Sequence, residues 1–530
     1  MHTRRHPLPL GTRSLRLGGT LLTVAGLLLP ACSPGSSPAV SRTATTVRGD
    51  AAPAGPARAT PAALAPYYGQ KLTLRACPAA GFECATLKAP LDYDKPSAGD
   101  IRLAVSRKKA TGPGKRLGSL LVNPGGPGGS AVDYLQSYAA LGYPAKVRAR
   151  YDMVAVDPRG VARSEPVECL TGPRMDAYTQ TDTTPDDRAE KDRLVAAFKT
   201  FAEGCGRRSA HVLRHVSTVE TARDMDVLRA ALGDPTLTYV GASYGTFLGA
   251  TYAELFPDRV GRLVLDGAMD PSLPSRRLNL DQTAGFETAF RSFTGDCVTH
   301  RDCPLGTRAD RAAQNLKAFF RQLDRAPIPT GSADGRRLGE ALATTGVIAA
   351  MYDEGSWPQL RKALTEAMRK KDGSGLLLFS DTYYERGENG SYQNLMFANA
   401  AVNCLDLPGA FSSPTEVEQA LPTFEKASPV FGETLAWASL NCAYWPVRPT
   451  GVPHRIAAKG APPIVVVGTT RDPATPYTWA KSLAAQLTSG RLLTYDGDGH
   501  TAYGRGSACV DRTINAYLLD GTPPAQQKHC

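Results

Sequence analysis

The stretch Gly241-Ala242-Ser243-Tyr244-Gly245 lies between a strand-like run at residues 237–240 and a helix-like run at residues 246–256. A strand, a sharp turn and a helix form the context of a G-x-S-x-G nucleophile elbow. Glycine is needed on both sides of the serine because a side chain there would collide with the neighbouring strand or helix. The turn would expose the Ser243 hydroxyl at a helix N-terminus, where free N–H groups favour developing negative charge. The alternative is an ordinary tight turn, and other stretches must decide.

Two more candidate catalytic residues follow predicted strands late in the chain. Asp472 comes after the apolar run 463–467, and His500 comes after the predicted strand 491–495 in a glycine-containing loop. Serine is a weak nucleophile until histidine takes its proton, and histidine needs a carboxylate to fix its tautomer. The order Ser243, Asp472, His500 is the chain order of α/β-hydrolases. We therefore predict a catalytic triad; the alternative for His500 is a histidine in a surface loop.

A glycine-rich loop, Asn123-Pro124-Gly125-Gly126-Pro127-Gly128-Gly129-Ser130, follows the apolar run 117–122. It matches neither the G-x-G-x-x-G pattern of dinucleotide sites nor a P-loop with its lysine. An oxyanion loop is the better interpretation, because its backbone N–H groups can point at a carbonyl oxygen that becomes negative. The predicted donors are the N–H of Tyr244, after the nucleophile, and the N–H of Gly125 or Gly126, since proline cannot donate.

Alternating predicted strands and helices indicate an α/β fold, a mostly parallel sheet with helices on both faces. The alternation covers residues 67–269, stops, and returns at residues 461–530. Between them, residues 270–460 are mainly helical and contain scattered aromatic residues. We therefore predict an α/β-hydrolase core in two parts with an inserted helical cap.

The N-terminal residues predict export. Residues 1–31 combine early arginines with a short apolar run, which is typical of a signal peptide. Cys32 follows in a context similar to a bacterial lipobox, so lipidation is predicted there; the alternative is a plain signal peptide with a coincidental cysteine. Residues 32–66 are rich in Ala, Pro, Ser and Thr, and predict a disordered tether. Contact with a membrane is expected only through the lipid.

The chain has 530 residues, a formal net charge of +11 and 11 cysteines. It has no long basic run and no interleaving of basic with aromatic residues, so nucleic-acid binding is not expected. No C-x-x-C occurs, and neither a metal nor another cofactor is expected. Without Cys32 the cysteines are even in number, as disulfides in an exported protein would require. We predict nearest-neighbour pairing, with other connectivities open: Cys77–Cys84, Cys169–Cys205, Cys297–Cys303, Cys404–Cys442 and Cys509–Cys530.

The chain resembles the secreted tripeptidyl aminopeptidases of the α/β-hydrolase fold, a branch of the prolyl aminopeptidase family. The resemblance covers nearly everything from residue 67 onward, and residues 435–530 resemble the family's TAP-like module. It implies removal of short peptides, tripeptides in the name-giving members, from unblocked N-termini of peptides or proteins. The motifs that carry it are the elbow, the glycine-rich loop, Asp157-Pro158-Arg159-Gly160, residues 401–406, residues 437–446, Thr470-Arg471-Asp472-Pro473 and Asp498-Gly499-His500.

An exopeptidase of this kind must bind the substrate's α-amine. Burying an ammonium without a carboxylate partner is costly, so an acid of the cap is expected in the cleft. Asp406, beside Cys404, is the first candidate, and Asp353 and Glu354 follow; for each, the alternative is an ordinary surface acid. Two other functions stay open: a carboxylesterase or lipase-like hydrolase with the same triad, and a non-catalytic surface binding protein on a hydrolase scaffold.

Overall fold

The computed structural model describes residues 61–530, in which a single large sheet is the central feature. The predicted signal peptide, Cys32 and residues 32–60 of the predicted tether lie outside the described residues. The sheet has ten strands in the order β1-β2-β3-β5-β4-β6-β7-β10-β11-β12, and β8 pairs with β9 separately. The strands are β1 Arg75–Ala76, β2 Glu83–Pro90, β3 Asp100–Lys108, β4 Gly118–Asn123, β5 Tyr151–Val156, β6 Leu237–Ala242, β7 Val260–Asp266, β8 Ile328–Pro329, β9 Arg337–Leu338, β10 Ile464–Arg471, β11 Gly490–Asp498 and β12 Gln527–His529.

Seven adjacent strands of the sheet, in the order β5-β4-β6-β7-β10-β11-β12, run parallel. Strands β1, β2 and β3 form an antiparallel edge that joins β5. All six residues of β5 are buried, as are the first six of β10. Strands covered on both faces are expected to be continuously apolar, which explains why the sequence predicted them well. The α/β-hydrolase fold is thereby confirmed.

Helices cover both faces of the sheet. In the core these are α1 Ala65–Tyr68, α2 Ala131–Tyr134, α3 Ala140–Gly142, α4 Ala145–Arg148, α5 Gly172–Thr179, α6 Arg188–Arg208, α7 Thr218–Ala231 and α8 Tyr244–Leu255. The later helices are α9 Ser275–Cys297, α10 Ala309–Arg325, α11 Glu340–Met351, α12 Trp357–Thr365, α13 Ser374–Tyr383, α14 Leu395–Asp406, α15 Pro414–Ala427, α16 Gly432–Ala438, α17 Tyr477–Gln486 and α18 Ala508–Asp520. Neighbouring strand residues alternate between two hydrophobic cores: Leu263 and Leu265 face α7 and α8, while Val264 faces α2 and α18.

Helices α9 to α16 lie between β7 and β10, and α9 to α13 share a hydrophobic core that is separate from that of the sheet. Its buried aromatic residues include Phe290, Phe293 and Phe320. A smaller cluster joins Trp437 of α16 to Phe198 of α6, so the helical segment is also packed against the core. Among residues 61–530, no helix is long and apolar enough to cross a membrane.

The five disulfides form with the predicted nearest-neighbour pairing, which is thereby confirmed. The predicted tether, in contrast, extends too far along the chain. Residues Ala62–Leu64 form a 3-10 turn that continues into α1, and Leu64 packs against the core. Composition missed this turn because alanine and proline dominate it and only one large apolar side chain docks.

Candidate active site

Ser243 stands at the sharp turn between β6 and α8. Its backbone has φ 56° and ψ −125°, a conformation that L-residues rarely adopt. A Cβ added at Gly241 would lie 2.3 Å from the carbonyl oxygen of Gly245, and one at Gly245 would lie 2.9 Å from Asn123 Oδ1. Both glycines of the motif are therefore required sterically, as predicted for an elbow.

Asp472 and His500 come together at the ends of β10 and β11. His500 Nδ1 lies 2.9 Å and 3.0 Å from the two carboxylate oxygens of Asp472. The carboxylate is buried and also accepts the backbone N–H groups of Ala474 and Thr475. The carboxylate is therefore held in place facing the imidazole, the arrangement that orients a histidine with Nε2 available as a base.

Ser243 and the His500 loop meet at the end of β7. The Ser243 N–H donates to the carbonyl oxygen of Asp266, and the Asp266 carboxylate accepts the N–H groups of Ala502 and Tyr503. His500 Nε2 is buried and has no hydrogen-bond partner among the described residues. This is the atom that would take the Ser243 proton.

The helical segment also holds the histidine. The backbone N–H of His500 donates to the backbone carbonyl oxygen of Tyr352 at 2.8 Å. The two side-chain rings meet edge to face, with centroids 5.5 Å apart. Thr475 Oγ1 contacts both Asp472 and His500. Neither Tyr352 nor Thr475 was among the predicted site residues. Thr475 had a local signal, since it follows Asp472 in the same turn, whereas Tyr352 had none.

The glycine-rich loop lies directly against the elbow. A Cβ at Gly125 would lie 2.4 Å from the carbonyl oxygen of Ala242 and 2.9 Å from the N atom of Tyr244. The Gly125 N–H already donates to Asn123 Oδ1 at 2.9 Å. Gly126 lines the same cavity as Ser243. Of the two predicted glycine donors, Gly126 is therefore the one with an N–H not used inside the loop, and Tyr244 begins α8 beside it.

A cavity of about 310 Å³ opens at Ser243 and extends beneath the helical segment. Its floor includes Gly126, Pro127 and Thr475, and its apolar walls include Leu278, Leu407 and Trp479. Five amide side chains also line it: Asn279, Gln282, Asn399, Asn403 and Asn441. None of the described residues that line this cavity has a carboxylate side chain.

None of the three acids predicted to bind a substrate amine lines this cavity. Asp406 faces the start of α7, where its carboxylate accepts the N–H of Thr218 at 2.8 Å and the Thr218 hydroxyl at 2.5 Å. Asp353 is exposed and pairs with Arg505. Glu354 is exposed at the start of a 3-10 turn.

Asp406 is instead expected to make stability depend on pH. Burial raises the pKa of its carboxyl from 3.8 to about 7, against the opposing effect of the Thr218 hydrogen bonds. Between these values the folded protein holds a proton that the unfolded chain has released, so stability falls as pH rises through this window. Asp406→Asn should remove this contribution. The thermal midpoint of the variant minus that of wild type should therefore be larger at pH 8 than at pH 4. An equal difference at both pH values would contradict this assignment.

One group of carboxylates in residues 61–530 has the spacing to hold a cation: oxygen atoms of Asp182, Asp324 and Glu340 lie within 4.8 Å of one another. Exposed acidic groups often cluster without an ion. None of the three lines the cavity at Ser243.

Comparisons with known proteins agree with this geometry. Residues 118–370 match the model of the alpha/beta hydrolase fold, and residues 428–530 match that of the TAP-like protein family. The chain is 38% identical to Serine protease Hip1 of Mycobacterium tuberculosis, over 85% of this chain and 87% of that protein. It is 39% identical to Carboxylesterase B of the same organism, over 84% and 86%. It is 33% identical to Tripeptidyl aminopeptidase of Streptomyces coelicolor, over 84% and 83%.

These relatives span most of the chain, and their names describe hydrolases, two of them peptidases. The alternative of a non-catalytic binding protein is therefore not retained. The chain belongs to the TAP-like α/β-hydrolases and is a serine hydrolase of that family.

Proposed function

We propose that this protein is an exported serine exopeptidase that releases short peptides, tripeptides by preference, from free N-termini. Ser243 is the nucleophile, His500 the base and Asp472 the residue that orients it. The observation that supports this most is the cavity at Ser243, which is covered by the helices of the cap. A relative named Tripeptidyl aminopeptidase supports the same function.

In this proposal His500 Nε2 takes the Ser243 proton while Oγ attacks the carbonyl carbon of the substrate's third residue. The N–H groups of Tyr244 and Gly126 stabilise the oxyanion. The proton then passes from His500 to the leaving amine, and water releases the acyl group in a second cycle. The buried and unpartnered Nε2 supports His500 in this role.

The dimensions of the cavity favour a chain end over a continuous chain. Three extended residues span about 10 Å. A cavity of about 310 Å³ is at the small end of the range for ligand sites, and suits a short segment. Cap residues, among them Leu435, Ala438 and Asn441, also line the cavity, so in this proposal the substrate's N-terminus lies beneath the cap.

The substrate amine would then meet amide groups in place of a carboxylate. We propose that side-chain amide oxygens bind it, because five amide side chains line this cavity and none of its described lining residues has a carboxylate. Asn403 and Asn399 are already joined by a hydrogen bond, and Asn399 donates to the carbonyl oxygen of Pro127 in the oxyanion loop. This chain of contacts would relate the position of the bound amine to Ser243.

A matched pair of substrates tests the proposal. A tripeptide p-nitroanilide with a free N-terminus should be cleaved at least about 100-fold faster, in kcat/KM, than its N-acetylated form, because the acetyl group removes the charge and the donors that the site binds. A p-nitrophenyl ester of a short acyl chain serves as the control for an intact Ser243. Equal rates on the free and acetylated peptides would contradict the proposal.

The second candidate function is that of a carboxylesterase. It is favoured by the relative named Carboxylesterase B and by an identical requirement for Ser243, Asp472 and His500. Rapid hydrolysis of the ester, with no release of peptide from either anilide, would select this function. Both candidates use the same acyl-enzyme and differ in what fills the cavity.

Export is part of the proposal. Five disulfides are typical of an oxidising compartment and support it. Residues 1–31 would be removed, and Cys32 would carry the lipid. The mass of the N-terminal peptide of the mature protein distinguishes a lipidated Cys32 from a plain signal peptide, and an intact Met1 on exported protein would contradict cleavage.

A further inference from the structure

A second cavity, of about 260 Å³, lies against the catalytic histidine. None of the residues that line it also lines the cavity at Ser243. Four tyrosines dominate its walls: Tyr134, Tyr138, Tyr143 and Tyr503. The other lining residues are Pro124, Val240, Ala242, Asp266, His500 and Thr501.

The tyrosines form a continuous aromatic surface. Ring centroids are 5.4 Å apart for Tyr134 and Tyr138, and 5.0 Å apart for Tyr143 and Tyr503. Their hydroxyl groups are used within the protein. Tyr134 and Tyr143 share a hydrogen bond, Tyr503 donates to Asn515, and Tyr138 contacts the carbonyl oxygen of Gly504. What these residues offer a ligand is therefore mainly ring surface.

The wall contains one carboxylate, that of Asp266. It is buried and accepts the N–H groups of Ala502 and Tyr503. No lysine or arginine is among the described residues that line the cavity. An anionic ligand group would find no positive charge in this wall, and the Asp266 carboxylate already accepts two backbone N–H groups. An uncharged, apolar group therefore fits best.

The position of this cavity relates it to the reaction. Ala242 precedes the nucleophile, and Pro124 precedes the two glycines of the oxyanion loop. His500 stands in its wall, while Thr475, which contacts the same imidazole, stands in the wall of the cavity at Ser243. One cavity therefore borders Ser243, and the other borders His500.

The chemistry of acyl transfer separates the two halves of a substrate. The Ser243 Oγ–carbon bond forms, the carbon–nitrogen bond breaks, and the Ser243 proton travels through His500 Nε2 to the leaving nitrogen. The acyl part stays in the cavity that contains Ser243. The leaving nitrogen must lie within reach of Nε2, so the chain attached to it is directed along the histidine.

We propose that the tyrosine-lined cavity binds the first side chain of the leaving peptide and prefers aromatic or large aliphatic side chains there. This rests on the proposed peptidase function, and it adds a specificity on the leaving side that the cap does not determine. In the reverse step, an amine bound in the same cavity would attack the acyl carbon, and the proton would return through His500 to Ser243.

Acyl transfer to added amines measures this site directly. The acyl-enzyme is formed from a tripeptide methyl ester and, separately, from p-nitrophenyl butyrate. Glycinamide, leucinamide or phenylalaninamide is then added, and the ratio of amide product to hydrolysed acid is measured. We expect the ratio for phenylalaninamide to exceed that for glycinamide by about tenfold or more. Equal ratios, or no amide product at saturating amine, would overturn the proposal.

Tyr138 is the wall residue best suited to substitution, because its side chain is 38% exposed and its loss should not prevent folding. Tyr138→Ala should reduce the preference for phenylalaninamide by about tenfold. Tyr138→Phe keeps the ring and should retain the preference. Leu378→Ala, at a residue that is 68% exposed and lines neither cavity, is the matched control and should behave as wild type.

Using two acyl donors distinguishes a failure of this proposal from a failure of the proposed peptidase function. Acyl transfer from the butyrate but not from the peptide ester would contradict the peptidase function, and the amine preference of the cavity could still be measured with the butyrate. A preference for phenylalaninamide that is the same in wild type and Tyr138→Ala would overturn the tyrosine cavity, whichever donor is used. Tyr138→Arg provides a second variant: the preference should move toward an acidic amine such as aspartic acid amide, and no movement would count against the site.

Discussion

Replacing Ser243 with alanine is expected to lower kcat by about 10⁴- to 10⁶-fold on both peptide and ester substrates. The reason is that the acyl-enzyme of the proposed reaction forms on the Ser243 oxygen, and alanine has no atom to replace it. His500→Ala should cause a similar loss, and Asp472→Asn a smaller one, because the imidazole remains but its orientation is wrong. Steady-state assays with purified variants measure this.

The elbow itself supplies the control for folding. Ser243 has φ 56°, which strains any residue with a Cβ. Ser243→Gly should therefore be more stable than Ser243→Ala by about 1 kcal/mol, while both are inactive. If Ser243→Gly is inactive although it is more stable than Ser243→Ala, its loss of activity is not caused by misfolding. Retention of more than a few per cent of activity in Ser243→Ala would show that another residue is the nucleophile.

The elbow and the strands near it were predictable because their signals are local. β6 and β10 are apolar runs that end in a turn. A Cβ added at either glycine flanking Ser243 would lie within 3 Å of a backbone or side-chain atom. Such constraints act over a few residues, so they leave a pattern in the sequence. The chain order of Ser243, Asp472 and His500 then required only that each follow a parallel strand.

The antiparallel edge was missed although β3 carries a signal. Ile101, Leu103 and Val105 are buried, and the residues between them are exposed or partly exposed. This alternation of period two is typical of a strand with one covered face. Because polar residues such as Arg102 alternate with the buried ones, β3 is not a continuous apolar run like β5 or β10 and its signal is weaker.

The contacts of the cap could not be predicted from local pattern. Asp406 binds Thr218, which is 188 residues away, and Thr218 in turn contacts the Tyr244 hydroxyl. The argument that a buried amine needs a carboxylate selected Asp406 from the acids of the cap because it stands beside Cys404. It could not indicate that the start of α7 would be the partner. Amide side chains in the cavity carry no comparable signal, because asparagine is common in loops and at helix surfaces.

The sequence and the structure each contribute to the choice of the second oxyanion donor. The sequence restricts the candidates to Gly125 or Gly126, because the flanking prolines have no N–H. The structure adds that the Gly125 N–H donates to Asn123 Oδ1, while Gly126 lines the cavity at Ser243. The absence of a side chain at Gly125 thus lets the loop lie against the elbow, and we expect the Gly126 N–H to be the second donor.

Gly126→Ala is accordingly expected to lower kcat by about 100-fold or more, the usual cost of losing one oxyanion donor. Gly126 has φ 113°, and a Cβ there would lie 2.8 Å from the N atom of Gly129 and 2.9 Å from that of Gly128. The backbone must move to relieve these contacts, and its N–H then leaves the position of the oxyanion. Peptide and ester hydrolysis should fall together, because both pass through the same tetrahedral intermediate.

The matched control is Gly114→Ala. Gly114 has a similar φ of 126°, but a Cβ there would meet nothing within 4 Å. Both variants therefore carry the backbone strain of an L-residue at positive φ, and only Gly126→Ala displaces a donor beside Ser243. If the two variants lose equal stability but only Gly126→Ala loses kcat, the loss reports the oxyanion hole. An unchanged kcat in folded Gly126→Ala would assign the second donor to another group, because a displaced N–H cannot stabilise a charge that it no longer faces.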